Sequence, residues 1–205
     1  MRAWWAAVPL AWAALLVFHP APDPGDMYGS LRDEPGRWLV VHVGTLFFIG
    51  LVGGAVLRLV AGLPGPAAMV SRVAALAFMV FYGAGEAING IAVGVLVRHA
   101  NNAPEGDRDA VARAIQALVD DFLSDDLAAT IGAIGWAVAV LAAAAAVWQA
   151  GAHPAVPILL VASSVILMHA PPIGPIGLLC FAAAIVVWAR VRSGAPTPAR
   201  SRPDR

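Results

Sequence analysis

The sequence predicts an all-α integral membrane protein, a six-helix bundle with one amphipathic helix in its second outer loop. Hydrophobic residues make up 60% of the chain and charged residues only 13%, whereas a soluble domain is about 25% charged. Six apolar segments alternate with polar, turn-rich loops. Because the hydrocarbon core of a bilayer is about 30 Å thick, segments of this length and polarity are typical of membrane spans. We take 1–192 as one transmembrane domain.

The predicted spans are joined by short connections at one end and by long loops at the other. They cover 3–19, 38–62, 73–98, 127–149, 155–170 and 173–189. The first span resembles a secretory signal in length, but the residues after it offer no small-x-small cleavage site, which favours a retained helix. The last residues, 193–205, are rich in Arg, Pro and Ser and predict a disordered cytoplasmic tail.

The second long loop, 100–126, contains the predicted amphipathic helix. Within 107–123 the apolar residues recur at helical spacing and acidic residues lie between them. The apolar set is Val111, Ile115, Leu118 and Phe122.

The arginines predict the orientation of the bundle. With the N-terminus inside, the inner set is Arg2, Arg58, Arg72, Arg190, Arg192, Arg200, Arg202 and Arg205, and the outer set is Arg32, Arg37, Arg98, Arg108 and Arg113. The larger inner set favours both termini in the cytoplasm. All 13 basic residues are Arg and none is Lys, and with much Ala and Gly this composition indicates a GC-rich bacterial genome, so we expect a multi-pass protein of a bacterial inner membrane. The apolar spans make the lipid bilayer the expected partner. The formal net charge is zero, so we expect no binding to nucleic acid. A homodimer or a partner membrane protein is left open.

Glu86 is a lone carboxylate inside the apolar stretch 72–99 and should lie near the membrane midplane. An ionisable group at that depth is costly, so it is a functional-site hypothesis by default. At 100° per residue, Tyr82 and Asn89 share a helix face with Glu86. His42 and Thr45 share a face of the second span, which predicts a polar track open to the outer side.

A structural role for the same residues stays open. A protonated Glu86 could hydrogen-bond a neighbouring carbonyl or Asn89 and simply hold two helices together. His42, near the end of its span, could bond to lipid headgroups or to a loop.

Four histidines lie near the outer ends of predicted spans: His19, His42, His99 and His169. Imidazole is a common ligand of zinc, copper and iron, so these are candidate ligands of a transition metal. No HxxxH or HExxH pair lies on one helix, however, and interfacial histidines are common. We therefore predict no metal and no cofactor. The single cysteine, Cys180, excludes an intrachain disulfide.

Glycine pairs and span-end residues predict how the helices pack. Gly50 with Gly54, and Gly90 with Gly94, form GxxxG pairs, which predict a tight hairpin of the second and third spans joined at 63–66. Arg58 and Arg72 should reach the inner headgroups. The span-end tryptophans predict an aromatic belt; they are Trp38, Trp148 and Trp188.

The segments DMYGSLRDEPGRWLVVHVGTLFFIGL and FYGAGEAINGIAVGVLVRHAN resemble an uncharacterised multi-pass membrane protein family of GC-rich bacteria. The resemblance extends to about residue 125. Because no member has a known activity, it implies no catalytic residues. Rhomboid proteases need a GxSG serine, which Ser163-Ser164 does not match, and zinc hydrolases of the ceramidase type need a late HxxxH that is absent.

Three functions remain open at this stage. The first is small-ligand binding or proton-linked transport at an outward-facing polar site around Glu86. The second is a membrane enzyme or metal-binding protein that uses the outer histidines, which predicts two of them within about 5 Å of each other. The third is a structural or partner-binding subunit that docks through 107–123. We take the first as the working hypothesis.

Overall fold

The structure, a computed structural model, describes residues 3–121, 127–167 and 170–194. No residue in those ranges lies in a strand, so the all-helical class is confirmed. The helices are α1 (Ala7–Leu16), α2 (Met27–Leu31), α3 (Pro35–Leu59), α4 (Pro66–Asn101), α5 (Glu105–Val119), α6 (Ala128–Gln149), α7 (Ala155–Ala162) and α8 (Ile173–Gly194). Short 3₁₀ turns, Ala3–Ala6 and Ser163–Leu167, precede α1 and follow α7.

Four of the described helices, α3, α4, α6 and α8, are long and apolar enough to cross a membrane. Two further apolar helices are shorter. Large apolar side chains project outward from the long helices, for example Phe47, Val80 and Ile134, which are 65%, 64% and 57% exposed. A bilayer would cover such surfaces, which water does not favour.

Helix α4 begins at Pro66, earlier than the predicted start at 73. Gly65 adopts φ +95°, a left-handed conformation that glycine tolerates, and Pro66 then provides a first helical position with a suitable fixed φ. Arg72 does not need lipid headgroups here. Its guanidinium donates to the carbonyls of Val60 and Leu63 at 3.0 and 2.9 Å, which satisfies acceptors beyond the end of α3.

Several predicted boundaries differ from the structure or lie outside the described residues. The predicted fifth span, 155–170, is only a short helix followed by a 3₁₀ turn. Residues 193–194 of the predicted tail belong to α8, and the rest of the tail, 195–205, lies outside the described residues. So does 122–126, at the end of the second long loop.

The core contains two apolar clusters. The larger joins α1, α3, α4, α6, α7 and α8, with Trp136 of α6 packed against Phe78 and Phe181 at ring distances of 5.2 Å each. The smaller joins α2 and α5 to the facing ends of α3 and α4. In this cluster Ile115 of α5 is fully buried. The apolar side of α5 is therefore packed against the chain's own helices.

The closest helix contacts are not those the glycine pairs on α3 predict. A Cβ at Gly50 or Gly54 would meet nothing within 4 Å, because the packed side of α3 carries Gly53, against Met79. Gly90 and Gly94 do contact α3. The tightest approach is between α4 and α6, where a Cβ at Gly132 would lie 2.3 Å from the backbone nitrogen of Tyr82. These two helices thus touch backbone to backbone.

Candidate functional site

A partly open pocket of about 520 Å³ lies among α3, α4, α6 and the loop that follows α1. It is lined by His19, Pro22, Met27, Trp38, His42, Tyr82, Gly85, Glu86, Asn89, Gly90, Val119, Ala129, Thr130, Ala133 and Ala170. Most of the surface that faces the pocket is carbon. The polar side chains His42, Glu86 and Asn89 cluster where α3 meets α4. This combination is typical of a small-molecule site.

The part of α4 that lines the pocket is not a regular α-helix. Two segments, Phe78–Tyr82 and Glu86–Ala92, are π-helical. A π-helical turn contains more residues than an α-helical turn, so it changes which residues share a face and often occurs at functional sites. The glycine-rich sequence around Glu86 lets the backbone pack closely against α6 through this region, with Gly85 near Ala129.

At the centre of the polar side, Nδ1 of His42 is hydrogen-bonded to a carboxylate oxygen of Glu86. His42 is 4% exposed and Glu86 is 6% exposed. An imidazole and a carboxylate in such contact share a proton, since either group can carry it. The pair can therefore accept or release a proton inside an otherwise apolar environment.

Trp38, one helical turn before His42 on α3, also connects α3 to α4. Its indole nitrogen donates to the carbonyl of Gly90 at 2.6 Å, and its ring lies 3.9 Å from that of His42. The sequence predicts Trp38 in an aromatic belt, but the structure buries it, with 4% exposed. An indole N–H in an apolar environment needs an acceptor, and the backbone of α4 supplies one.

His19, in the loop after α1, completes a cluster of three rings. Its ring centroid lies 5.0 Å from that of His42 and 5.5 Å from that of Trp38. Its Nδ1 is hydrogen-bonded to the carbonyl of Pro20. Burial, together with the nearby His42, lowers the pKa of His19 to about 4. The His19 ring is therefore neutral at pH 7.

The structure brings together four of the five residues of the predicted site. His42, Tyr82, Glu86 and Asn89 all line the pocket. Thr45 does not. Its hydroxyl accepts from the indole nitrogen of Trp12 at 3.2 Å, because α1 packs against that part of α3 and its buried indole needs an acceptor.

The four candidate metal ligands are dispersed more than the sequence suggests. His19 and His42 are neighbours, whereas His99 is exposed at the end of α4, and His169 lies outside the described residues. Within the part of the chain that the structure describes, no group of three or more His, Cys, Asp or Glu residues is placed to hold a metal ion.

Several lining residues have no signal in the sequence. Ala129 and Ala133 form the α6 wall of the pocket, but the sequence around them predicts only an ordinary apolar helix. Gly90 belongs to a GxxxG pair that the sequence predicts to pack closely, but only the structure shows that a Cβ there would lie 2.4 Å from Nδ1 of His42.

Comparison with known proteins adds nothing to this site, since no protein family, no curated protein and no solved structure matches the chain.

Proposed function

We propose that this chain is a multi-pass membrane protein that binds a small, largely apolar ligand in the pocket around Glu86. The observation that carries the proposal is the buried His42–Glu86 pair, which borders a cavity of about 520 Å³ instead of being enclosed by packed side chains. A bond that serves only to hold two helices together needs no cavity beside it.

The lining indicates the chemistry of the ligand. Met27, Trp38, Val119 and Ala133 offer apolar contact, while the His42–Glu86 pair offers one convergent polar point. The cavity volume falls within the roughly 300–1,000 Å³ of ordinary ligand sites. A ligand with an apolar body and one hydrogen-bonding group fits this arrangement. Because the pair can take up a proton, binding would be linked to protonation, as proton-linked transport also requires.

A partner-binding role for 107–123 receives less support. The apolar residues of α5 face α2 and the ends of α3 and α4, and Ile115 is fully buried there. The docking surface that this role needs is therefore already occupied by the chain itself.

The proposal places six spans in a bacterial inner membrane, with both termini in the cytoplasm. The long helices α3, α4, α6 and α8 would cross fully, and the shorter apolar helices α1 and α7 would complete the bundle. In support, α1 packs against α3 and α8, and α7 packs against α6 and α8. The pocket would then open toward the outer side, where the loop after α1 lies.

Dicyclohexylcarbodiimide tests the pocket, because this apolar reagent modifies protonated carboxyl groups that it can reach. We expect Glu86 in the purified protein to be modified, as detected by mass spectrometry of its peptide. Ala133→Phe fills the pocket and should slow the reaction roughly tenfold, the effect of about 1.4 kcal/mol on a barrier. Glu86→Gln should abolish the modification.

Ala145→Phe is the matched control, since Ala145 is an exposed residue of the same helix. It should react at the rate of the unmodified chain. An unreactive Glu86, or equal rates for the two phenylalanine variants, would contradict an open pocket beside the pair.

A further inference from the structure

A second pocket, of about 330 Å³, lies where α2, the end of α4 and the start of α5 meet. It is lined by Tyr28, Arg32, Asp33, Asn101 and Arg108, and we call it the arginine pocket. All five lining residues are polar, and none of them lines the pocket around Glu86. The arginine pocket therefore suits a ligand of a different kind.

The walls of the arginine pocket are held in place without help from the two guanidinium groups. The hydroxyl of Tyr28 donates to Oδ1 of Asn101 at 3.0 Å, and Nδ2 of Asn101 donates to the carbonyl of Arg32 at 2.7 Å. These bonds join α2 to the end of α4. Helix α5, which carries Arg108, packs against the same elements through the buried Ile115. The backbone on both sides of the pocket is thus fixed before any ligand binds.

The charge of Arg108 is not compensated by a carboxylate. Among the described residues no acidic side chain forms an ion pair with it, although this side chain is half-buried. Its Nη2 reaches the carbonyl of Ala103 only at 3.4 Å, and its Nε is enclosed without a hydrogen-bond partner. Buried N–H groups normally find acceptors. An anion that approached the Nη groups would supply both an acceptor and the missing charge.

Arg32 adds a second positive charge to the same pocket. Its ion pair with Asp33 is long, 3.8 Å from Nε to Oδ1, and the two side chains are 60% and 87% exposed. Such an exposed pair contributes little to stability and leaves most of the guanidinium N–H groups available. Two arginines therefore share a pocket with a single, weakly engaged carboxylate, which favours an anionic ligand.

We propose that the arginine pocket binds one phosphate group between Arg32 and Arg108. A guanidinium presents its N–H donors in a planar fork that matches phosphate oxygens. The oxygens of a phosphate group point in tetrahedral directions, so one group can accept from two arginines on different elements. Inorganic phosphate and the headgroup of an anionic phospholipid offer this same chemistry. The inference does not depend on the apolar ligand proposed for the pocket around Glu86.

Calorimetric titration of the full chain, purified without phosphate in an uncharged detergent, tests the site. One probe is inorganic phosphate, and the other is short-chain phosphatidylglycerol, with zwitterionic phosphatidylcholine of equal chain length as its control. We expect one equivalent of at least one probe to bind. Binding of phosphate identifies a soluble anion as a ligand, and binding of phosphatidylglycerol alone identifies a lipid headgroup. If neither probe binds to the folded protein, the proposal is wrong.

Three substitutions in the pocket should change the affinity in opposite directions. Arg32→Gln and Arg108→Gln should each weaken binding at least about tenfold, because each removes charge-assisted hydrogen bonds to the phosphate. Asp33→Asn should strengthen binding about two- to fivefold, the range of an exposed ion pair, because it removes a carboxylate that repels the phosphate and competes for Arg32.

Arg113→Gln and Asp109→Asn are the matched controls, since both residues are exposed on α5 and neither lines the arginine pocket. Both variants should bind the probe like the unmodified chain. Equal weakening by Arg113→Gln and by the two pocket variants would show a general effect of charge and overturn the site. Arg32 is exposed, so its variant should fold, and its thermal midpoint without phosphate checks this.

Discussion

At the scale of single residues, Gly90 determines whether His42 can reach Glu86. A Cβ at this position would lie 2.4 Å from Nδ1 and 2.5 Å from Cγ of His42, well inside van der Waals contact. The carbonyl of the same residue accepts from Trp38. One glycine therefore makes room for the imidazole and anchors the neighbouring indole. A side chain here would push the His42 ring away from its carboxylate partner.

Gly90→Ala should accordingly destabilise the protein by about 1–3 kcal/mol, the usual effect of forcing extra volume into a packed site. Thermal unfolding in detergent measures the change. Gly50→Ala is the control, because its Cβ would meet nothing within 4 Å. Both substitutions raise helix propensity by up to about 1 kcal/mol. A lower thermal midpoint for Gly90→Ala but not for Gly50→Ala therefore shows the overlap between the new Cβ and the His42 ring. Equal midpoints would refute this role of Gly90.

At the scale of elements, the contact between α4 and α6 forms one wall of the pocket. The π-helical segment Phe78–Tyr82 of α4 meets glycines of α6, and a Cβ at Gly135 would lie 2.8 Å from the backbone nitrogen of Phe78. Backbone atoms on α4 cannot rotate away as a flexible side chain can. The two helices therefore approach closely only while these α6 positions lack side chains.

Gly132→Ala should move α6 away from Tyr82 and destabilise the protein more than Gly90→Ala, by about 3 kcal/mol, since backbone must shift to relieve the overlap. The thermal midpoint and the yield of folded protein measure this effect. Gly54→Ala, whose Cβ would meet nothing within 4 Å, should leave both unchanged. A stable Gly132→Ala protein would contradict the backbone-to-backbone contact.

At the scale of the whole molecule, the proposed orientation in the membrane rests on the distribution of charge. The proposed topology places the first and second long loops outside and the turns at 63–66 and 150–154 inside. Because arginines near span ends favour the cytoplasm, the inner arginines should dominate the choice.

Thiol labelling of intact cells tests this topology. In a Cys180→Ala background, Ser30→Cys and Gly106→Cys should react with an impermeant maleimide from outside, while Pro64→Cys and Ala150→Cys should react only after lysis. All four positions are exposed. The reverse pattern would invert the bundle, and labelling of every position in intact cells would rule out a six-span arrangement.

Some of this protein could be predicted from local sequence. The apolar length of α3, α4, α6 and α8 and the helical class follow from composition and segment length, because hydrophobic transfer is close to additive along a segment. The proximity of Glu86, Asn89 and Tyr82 follows from helical periodicity. The same argument predicts Thr45 on this surface, yet its hydroxyl accepts from the indole nitrogen of Trp12. Periodicity says which residues share a face, but it does not say which helix covers that face.

The sequence by itself therefore determined the helical class, the long apolar segments and the carboxylate around which the candidate site is built. Only the tertiary structure decided that Glu86 pairs with His42, that His19 lies 5.0 Å from His42 in the same pocket, and that α6 forms the opposite wall. The physical reason is that these contacts join helices far apart in the chain. Their rotation and crossing depend on where glycines permit close approach and on where each buried N–H finds an acceptor, and both conditions exist only after the helices have packed.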